Sequence, residues 1–425
     1  MNKKTSRTVR LITALWLAVL ALSGGSVAQA AGFSQAELFN PARINTFDFN
    51  IPQASVNSLN SIATAKNYTA ASVTVTAGGV TMGPIQIGLR LKGSTSLELL
   101  NQTPSFKLSF NWGANKGQRL VGLKNITLNA MTQDGSKLHE FAAYKLSNAM
   151  NVPAPRTGWA TVKINGVVRG LYLTLETYDD IMMATRFTAA TQHLYEGIAL
   201  NDLKPGNADG LKDTGHYLVK EGWAATPNKN DLGQLIWVAN QSNLATWWKT
   251  LSSVTDRAEL VRFFAVENFL GQWDGYSGPI INNHFLRSDL NGKFTFMPWG
   301  TDQTFGENRQ TTVKFDDYFF PMDKPQAGFP WVQQAFKKSV MDRGLLFRKC
   351  LSYAPCRTEY LVQLKATSAK ATSIKLGAAM VAAGNLQDQT GYMSSDIFGE
   401  QQRSVKWIAK QQARVATLLR LYKIK

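Results

Sequence analysis

The first third of the chain alternates apolar and polar positions, which is the pattern of half-buried β-strands. Residues 71–75 alternate and are followed by the turn signal Gly78-Gly79. Residues 85–92 place four aliphatic side chains on one face, and short runs at 106–110 and 125–128 have the same character. The pattern therefore predicts four strands in this part of the chain.

A hairpin and one helix are predicted next. Residues 160–164 and 167–175 flank Asn165-Gly166, and Asn-Gly is the favoured pair for the tight turn between two antiparallel strands. Residues 134–148 begin with Asp-Gly-Ser, which suits a helix N-cap, and carry apolar side chains at helical spacing. This segment is the one helix that the pattern predicts before Tyr178.

After Tyr178 the apolar spacing becomes mostly helical, with one further hairpin. The hairpin is predicted from residues 283–287 and 293–297, which flank a turn at residues 289–292. Beyond Pro330 the chain is predicted to be mostly helical. The predicted helices of this half are residues 180–188, 235–251, 253–273 and a basic helix at 399–422.

This order of elements predicts an α+β fold in two lobes. The first lobe, residues 31–178, is β-rich and contains one helix, whereas the second, residues 179–425, is mainly helical and contains the later hairpin.

The first thirty residues have the pattern of a cleavable secretory signal peptide. Four basic residues precede an apolar run at residues 11–22, and Ala28-Gln29-Ala30 forms a small-residue cleavage site. The alternative is an uncleaved membrane anchor, but a bilayer span needs about 20 apolar residues. We therefore expect Ala31 to begin a secreted or periplasmic, cell-envelope protein that has no membrane span after signal cleavage.

The chain has only two cysteines, Cys350 and Cys356, with Ala354-Pro355 between them. In an oxidising compartment such a pair can close a small loop as a disulfide. A metal or redox pair is the alternative, but the spacing is not that of a CxxC motif and no histidine lies nearby.

The formal net charge is +17, of which the first thirty residues carry four, so residues 31–425 carry +13. A basic exported protein can associate with an anionic envelope or matrix polymer. The charge is dispersed, and no run of five Lys or Arg and no arginine–aromatic motif is present. Specific nucleic-acid binding is therefore not expected.

Two aspartates stand in contexts that suit chemistry. Asp274 follows an apolar helix and precedes Gly275, and Asp302 follows the second strand of the later hairpin in the segment Pro298-Trp299-Gly300-Thr301. Either can instead be a turn-forming or capping aspartate. The order of an Asp, an Asn, a hairpin and a second Asp is the layout of a kinase catalytic loop and metal-binding loop.

The sequence resembles the spore coat protein H (CotH) kinase family, whose members are secreted or surface-associated atypical kinases of protein-kinase-like fold. The matching stretches occur in family order over most of residues 39–306. They are Arg90-Leu91-Lys92-Gly93-Ser94-Thr95-Ser96, Leu128-Asn129-Ala130, Asp134-Gly135-Ser136-Lys137-Leu138, Ile164-Asn165-Gly166, Gly170-Leu171-Tyr172-Leu173 to Glu176, Leu194-Tyr195-Glu196-Gly197, Trp273-Asp274-Gly275-Tyr276 and Pro298-Trp299-Gly300-Thr301-Asp302.

The resemblance implies that Asp274 is the catalytic aspartate and that Asn283 and Asp302 bind Mg²⁺ or Mn²⁺. Asn282 is nearly as good a candidate as Asn283. In many members the metal loop is Pro-Trp-Asp-x-Asp, but the first of these aspartates is replaced here by Gly300. Only the second, Asp302, remains.

The residues that would face ATP are predicted less specifically. Lys92, beside Gly93-Ser94, and Lys107, on the next strand, are alternative phosphate-binding lysines, and either can be a solvated strand lysine. Glu140 on the helix of the first lobe can pair with such a lysine. Glu176, at the end of the early hairpin, either faces the nucleotide or caps its strand.

The leading hypothesis is an exported kinase that transfers a phosphoryl group from ATP to a hydroxyl of an exported protein substrate. Gly300 favours a second hypothesis, a catalytically weak pseudokinase that binds an envelope or matrix partner or has a structural role. A third is a nucleotide-dependent adenylyl or glutamyl transferase on the same fold, because one fold can host several chemistries.

Overall fold

The computed structural model describes residues 32–94, 96–197, 202–205, 217–220, 229–278, 280–306 and 344–424. The predicted signal peptide and the mature N-terminus at Ala31 lie outside these residues.

Seven strands of the first part of the chain form a closed barrel in the order β1-β2-β3-β4-β5-β7-β6. Neighbouring strands are antiparallel, except that β1 runs parallel to β6 and so closes the barrel. The strands are β1 (Ile44–Asn50), β2 (Thr69–Ala77), β3 (Val80–Lys92), β4 (Ser105–Ser109), β5 (Asn125–Asn129), β6 (Thr157–Ile164) and β7 (Val167–Glu176).

The alternating pattern explains the barrel interior, because every second side chain of each strand points inward. Phe47, Phe49, Phe106 and Tyr172 pack there as a continuous aromatic cluster. The strands predicted from alternation are present. The pattern did not reveal β1, nor the short helices α1 (Gln35–Leu38) and α2 (Gln53–Leu59).

The early hairpin has the turn that its sequence predicts. Asn165 and Gly166 both have positive φ angles, 49° and 82°, as the two central residues of a type I′ turn require. The Asn165 side chain also accepts a hydrogen bond from the Ile51 backbone N–H at 2.7 Å. It therefore fixes the chain beyond β1 against the hairpin.

Helix α3 (His139–Ala149) lies between β5 and β6 in the chain and begins later than predicted. The cause is Asp134, whose carboxylate accepts backbone hydrogen bonds from Ser136, Lys137 and His139 at 2.8, 2.9 and 2.7 Å. These bonds hold residues 134–138 as a compact turn, so the helix starts only at His139.

A second sheet has the strand order β11-β10-β8-β9. Its β10–β11 pair is the predicted later hairpin, but the sequence pattern did not reveal β8 and β9. The hairpin is therefore half of a four-stranded sheet rather than an isolated pair among helices. The strands are β8 (Thr191–Gly197), β9 (Tyr217–Val219), β10 (His284–Asp289) and β11 (Phe294–Pro298).

The remaining described elements are helices, and one prediction among them was wrong. Residues 235–251 were expected to form one helix but belong to two, because the Asn243 side chain accepts from the Thr246 backbone N–H at 2.9 Å and starts a new helix. These helices are α4 (Asp180–Arg186), α5 (Asn230–Ala239), α6 (Leu244–Leu251), α7 (Arg257–Leu270), α8 (Leu345–Ser352), α9 (Ala354–Ser373), α10 (Leu376–Asp388) and α11 (Ser395–Leu421).

The predicted disulfide is present, since the sulfur atoms of Cys350 and Cys356 are bonded at 2.02 Å. It joins the end of α8 to the start of α9, and both cysteines are buried. Among the described helices, none is both long and apolar enough to cross a membrane.

The mixed α and β content of the predicted fold class is confirmed. The β-rich part is a closed barrel, which the prediction did not specify. The division into two lobes at Tyr178 stays a prediction.

Candidate active site

Asp274 lies in a turn that two residues hold in place. Helix α7 ends at Gly271, whose φ of 73° is left-handed and therefore suits glycine. Glu267, one turn before the helix end, accepts hydrogen bonds from the Tyr276 and Ser277 backbone N–H groups at 3.3 and 2.8 Å and from the Ser277 hydroxyl at 2.7 Å. The segment on both sides of Asp274 is therefore anchored to α7.

The structure brings Asp274 and Asn283 into direct contact. Their catalytic and metal-binding roles stay predictions. The Asp274 carbonyl accepts from the Asn282 and Asn283 backbone N–H groups at 3.1 and 2.7 Å. Its Oδ2 atom accepts from the side-chain amides of Asn282 and Asn283 at 3.2 and 2.7 Å. Both asparagines thus touch the aspartate, although Asn283 makes the shorter contact.

Gly300, which replaces the first aspartate of the family's metal loop, lies against the Asn283 side chain. The Asn283 side chain donates to the Gly300 carbonyl at 3.1 Å. A Cβ atom at position 300 would lie 2.6 Å from Asn283 Nδ2, and Gly300 has a φ of 52°. A side chain at this position therefore requires Asn283 to move.

Asp302 is close enough to Asp274 for their charges to interact. Burial raises the pKa of Asp274 to about 8, and the Asp302 charge adds to this effect. Burial also raises the pKa of Asp302, with a contribution from Asp134, whereas the charge of Lys92 opposes it. The two candidate aspartates therefore share a region in which negative charge is incompletely balanced.

Glu140, on the first turn of α3, belongs to the same charged group. Its carboxylate accepts from the Asn129 side-chain amide and from the Tyr144 hydroxyl. Burial and the Asp302 charge raise the pKa of Glu140 to about 7, and Lys92 opposes them. The structure thus brings Lys92, Glu140 and Asp302 within electrostatic reach of one another.

Lys92 and Lys107, the two alternative phosphate-binding lysines, differ in their neighbours. The Lys92 ammonium lies 5.2 Å from the centroid of the Trp299 ring, beside the metal loop. Lys107 lies near Lys220 and Arg90. Burial, together with the charges of these two residues, lowers the pKa of Lys107 to about 7, although Glu196 opposes the shift. Only Lys92 is grouped with both Glu140 and Asp302.

Glu196 and Lys220 were not predicted as site residues, yet they join this group from the second sheet. Lys220 donates to Glu196 at 2.5 Å. Burial acts to raise the pKa of Glu196, but the charges of Lys220 and Lys107 outweigh it, so the pKa is lowered. Glu196 stands in one of the matching stretches, which was the available signal.

Glu176 is engaged elsewhere. Its two carboxylate oxygens accept from Arg156 and Arg186, each at 2.5 Å. Burial acts to raise the pKa of Glu176, but the two arginines outweigh it and lower the pKa. This pairing gives the residue a structural role, and its contact with a nucleotide stays a prediction.

The donor set fits a hard divalent cation. Asp302 and Asp274 supply carboxylate oxygens and Asn283 an amide oxygen, which are the ligand types that Mg²⁺ prefers. A bound cation would stabilise the ionised forms of these neighbouring carboxylates. Among the described residues, no three His, Cys, Asp or Glu side chains form a complete metal cluster.

The site has the parts of a kinase-like protein. They are the contact of Asp274 with Asn283, the second aspartate Asp302 beyond the β10–β11 hairpin, and Lys92 near Glu140. The family model described as CotH kinase protein matches residues 89–367. The chain belongs to the CotH kinase family.

Two further comparisons were found. The inner spore coat protein H of Bacillus subtilis (strain 168) is 26% identical over 208 residues, which cover 48% of this chain and 56% of that protein. The chain therefore spans about half the length of this curated relative. The crystal structure of a Helicobacter pylori proinflammatory kinase, CtkA, covers 74% of this chain and 94% of that one at 12% identity, with a TM-score of 0.33.

Proposed function

We propose that this protein is an exported kinase that transfers a phosphoryl group from ATP to a hydroxyl of an exported protein. The observation that supports the proposal is the contact of Asp274 with Asn283, in electrostatic reach of Asp302 and the Lys92–Glu140 group. Family membership alone would leave the activity of this chain open, because its metal loop carries Gly300.

In the proposed reaction Asp274 orients the acceptor hydroxyl and takes its proton as the oxygen attacks the γ-phosphorus and the bond to ADP breaks. Burial gives Asp274 a pKa of about 8, and a general base works best when its pKa is near the ambient pH. Asp302 and Asn283 would hold Mg²⁺ or Mn²⁺, which neutralises charge on the phosphates. Lys92, which lies in electrostatic reach of Asp302, would add a second positive charge near the phosphates.

Export is part of the proposal. The signal-peptide pattern of residues 1–30 supports it, and so does the disulfide between Cys350 and Cys356, because disulfides persist in oxidising compartments. The net charge of +13 on residues 31–425 makes an anionic envelope or matrix polymer a plausible second partner.

The first experiment measures nucleotide binding and phosphoryl transfer with Asp274→Asn. Wild type should melt at a higher temperature with Mg-ATP or Mn-ATP and should transfer labelled phosphate to proteins of its own envelope. Asp274→Asn should lower the transfer rate at least about 100-fold, because it removes the base, while Mn-ATP still binds.

The matched control is Asp388→Asn, which makes the same chemical change on the exposed surface of α10 and should leave both readouts unchanged. Equal incorporation by wild type and Asp274→Asn would contradict the role of Asp274.

Gly300 favours one alternative function, an envelope-binding protein with little or no kinase activity. The missing carboxylate cannot be added without displacing Asn283, since a Cβ atom would lie 2.6 Å from its amide nitrogen. If neither Mg-ATP nor Mn-ATP shifts the melting temperature of wild type, this second function replaces the first.

A further inference from the structure

Helix α11 contacts the candidate site from a part of the chain that the CotH family model does not match. The family match ends at residue 367, whereas α11 spans Ser395–Leu421. Three of its buried side chains, Gln401, Ser404 and Trp407, are spaced three residues apart and therefore lie near one another on the helix surface. Each of them bonds to a segment that carries a candidate site residue.

Ser404 is connected to Asp302 through His139. The Ser404 hydroxyl lies 2.7 Å from His139 Nε2, and His139 Nδ1 lies 2.7 Å from the Asp302 carbonyl oxygen. A carbonyl oxygen can only accept a hydrogen bond, so Nδ1 must carry the proton of this contact. The ring is buried and packs on Phe305 with centroids 5.1 Å apart. The imidazole is thus held in one orientation against the backbone of the metal loop.

Trp407 fixes the same loop relative to the turn that carries Asp274. Its indole N–H donates to the Phe269 carbonyl at 3.2 Å. Its ring lies so close to Gly271 and Gly306 that a Cβ atom at either would be 2.8 or 2.6 Å from a ring atom. Gly271 precedes Asp274 by three residues, and Gly306 follows Asp302 by four. One side chain therefore separates and aligns the two aspartate segments.

Gln401 holds the turn before α3. Its side-chain amide donates to the Ser136 carbonyl at 3.1 Å and to the Gln387 side chain at 3.0 Å. Gln387 in turn donates to the Lys137 carbonyl at 3.0 Å. This turn leads directly into His139 and Glu140, so α11 also supports the helix that carries Glu140.

We infer that α11 is a positioning element of the active site, in which Ser404 acts through His139 on the Asp302 backbone and Trp407 sets the spacing of the two aspartate segments. This inference rests on the proposed function for its catalytic consequence. The backbone positioning itself does not require a nucleotide. None of the three α11 side chains needs to touch the substrate, so we regard them as positioning residues.

The test uses three substitutions, since deleting α11 would expose the core side chains it buries. His139→Phe keeps a ring against Phe305 but removes the nitrogen contacts with Ser404, the Asp302 carbonyl and the Asp134 carboxylate, the last at 3.4 Å. Ser404→Ala removes the α11 hydroxyl and leaves His139 in place, so it tests the contribution of α11 itself. Thr417→Ala is the matched control, because Thr417 is exposed on the same helix and its hydroxyl donates to a carbonyl four residues earlier, at 3.1 Å.

The first readout is hydrogen–deuterium exchange of peptides covering residues 299–306, without nucleotide. Exchange should be at least about threefold faster in His139→Phe, faster than wild type also in Ser404→Ala, and unchanged in Thr417→Ala. Unchanged exchange in His139→Phe would overturn the positioning role.

The second readout is Mn²⁺ binding in the presence of ATP, followed by the electron paramagnetic resonance of free Mn²⁺. His139→Phe should weaken Mn²⁺ binding about 10-fold to 100-fold, as is usual when a group that orients a ligand is lost. Full Mn²⁺ affinity in a folded His139→Phe protein would overturn the link from α11 to the metal site. If wild type itself binds no Mn-ATP, the proposed function fails, whereas the exchange result still decides the positioning role.

Discussion

Glu176 and Glu140 are both buried glutamates at the edge of the barrel, but their surroundings balance their charge differently. Glu176 is paired with two arginines, Arg156 and Arg186, at 2.5 Å each. Glu140 accepts hydrogen bonds from the neutral side chains of Asn129 and Tyr144 and lies near Asp302, and the charge of Lys92 offsets this carboxylate only in part. The partners lower the pKa of Glu176, whereas burial and Asp302 raise that of Glu140 to about 7.

The difference separates a structural carboxylate from a candidate functional one. A buried charge with opposite charges on both oxygens is already stabilised by the fold. A buried carboxylate that is held next to another carboxylate is unfavourable unless a positive charge is bound there, and such perturbed groups are concentrated at functional sites.

The largest expected effect is the loss of stability in Glu176→Gln. The substitution removes the negative charge from two arginines whose side chains are only 34% and 25% exposed. Breaking a buried ion pair costs about 3–5 kcal/mol, and the partial exposure of the arginines reduces this to about 2–3 kcal/mol. Urea unfolding at pH 7 measures the free energy of unfolding.

The control for Glu176→Gln is Glu359→Gln on the exposed surface of α9, which should change stability by less than about 0.5 kcal/mol. If the two variants have the same free energy of unfolding, the ion pairs of Glu176 with the two arginines do not stabilise the fold. Glu176 and Glu140 would then not differ in the way proposed here.

A smaller effect is expected from Gly300→Asp, which adds a carboxylate to the region where Glu140 and Asp302 already crowd. The new side chain starts from a left-handed backbone and displaces Asn283. Strain of this kind costs about 1–3 kcal/mol, so the melting temperature should fall.

Transfer activity should not increase in Gly300→Asp, because Asn283 must leave Asp274 to make room. Gly306 also has a positive φ, 80°, but lies at the end of the loop against Trp407, so it tests a different contact. A faster enzyme that is also as stable as wild type would show that the loop readily adopts the usual family arrangement.

The smallest effect is a difference in pH dependence between wild type and Glu140→Gln. The pKa of Glu140 is about 7 in the folded protein and about 4.3 in an unfolded chain. The folded state therefore binds more protons between these values, and the contribution of Glu140 to stability is lost as the pH rises from about 4.3 to 7.

Relative to wild type, Glu140→Gln should become progressively more stable as the pH rises from 5 to 8. Glu176 has the opposite sign, since its lowered pKa gives stability that is lost as the pH falls through its folded pKa. Urea unfolding at four pH values between 5 and 8 checks the slope. Parallel curves for wild type and Glu140→Gln would show that Glu140 does not titrate in this range.

Local patterns predicted local structure well. Alternation marked the barrel strands β2 to β7, and Asn165-Gly166 marked the early hairpin with its positive φ angles. The family motif singled out Asp274 and Asn283, but their direct contact was not predicted and is seen only in the folded structure. The break at Asn243 was hidden, since apolar spacing continues through it and only the cap shows where the second helix begins.

Contacts between residues far apart in the sequence could not be predicted from local patterns. Strand β9 is three residues long and pairs with β8 across a segment that the sequence does not mark, so Lys220 could not be associated with Glu196. Ser404 and His139 are 265 residues apart, and nothing in either local sequence indicates the other. For the same reason the neighbours that distinguish Lys92 from Lys107, and Glu140 from Glu176, required the folded structure.

The Asp274 carbonyl has a consequence for how the catalytic loop can change length. It binds the backbone N–H groups of Asn282 and Asn283, so the base of the loop is closed by main-chain atoms while the side chain remains available for chemistry. The described residues inside the loop are buried, among them Tyr276, Ser277 and Ile281, so residues inserted there would have to displace core side chains. The length of the catalytic loop is therefore restrained twice, by main-chain hydrogen bonds at its base and by core packing along its course.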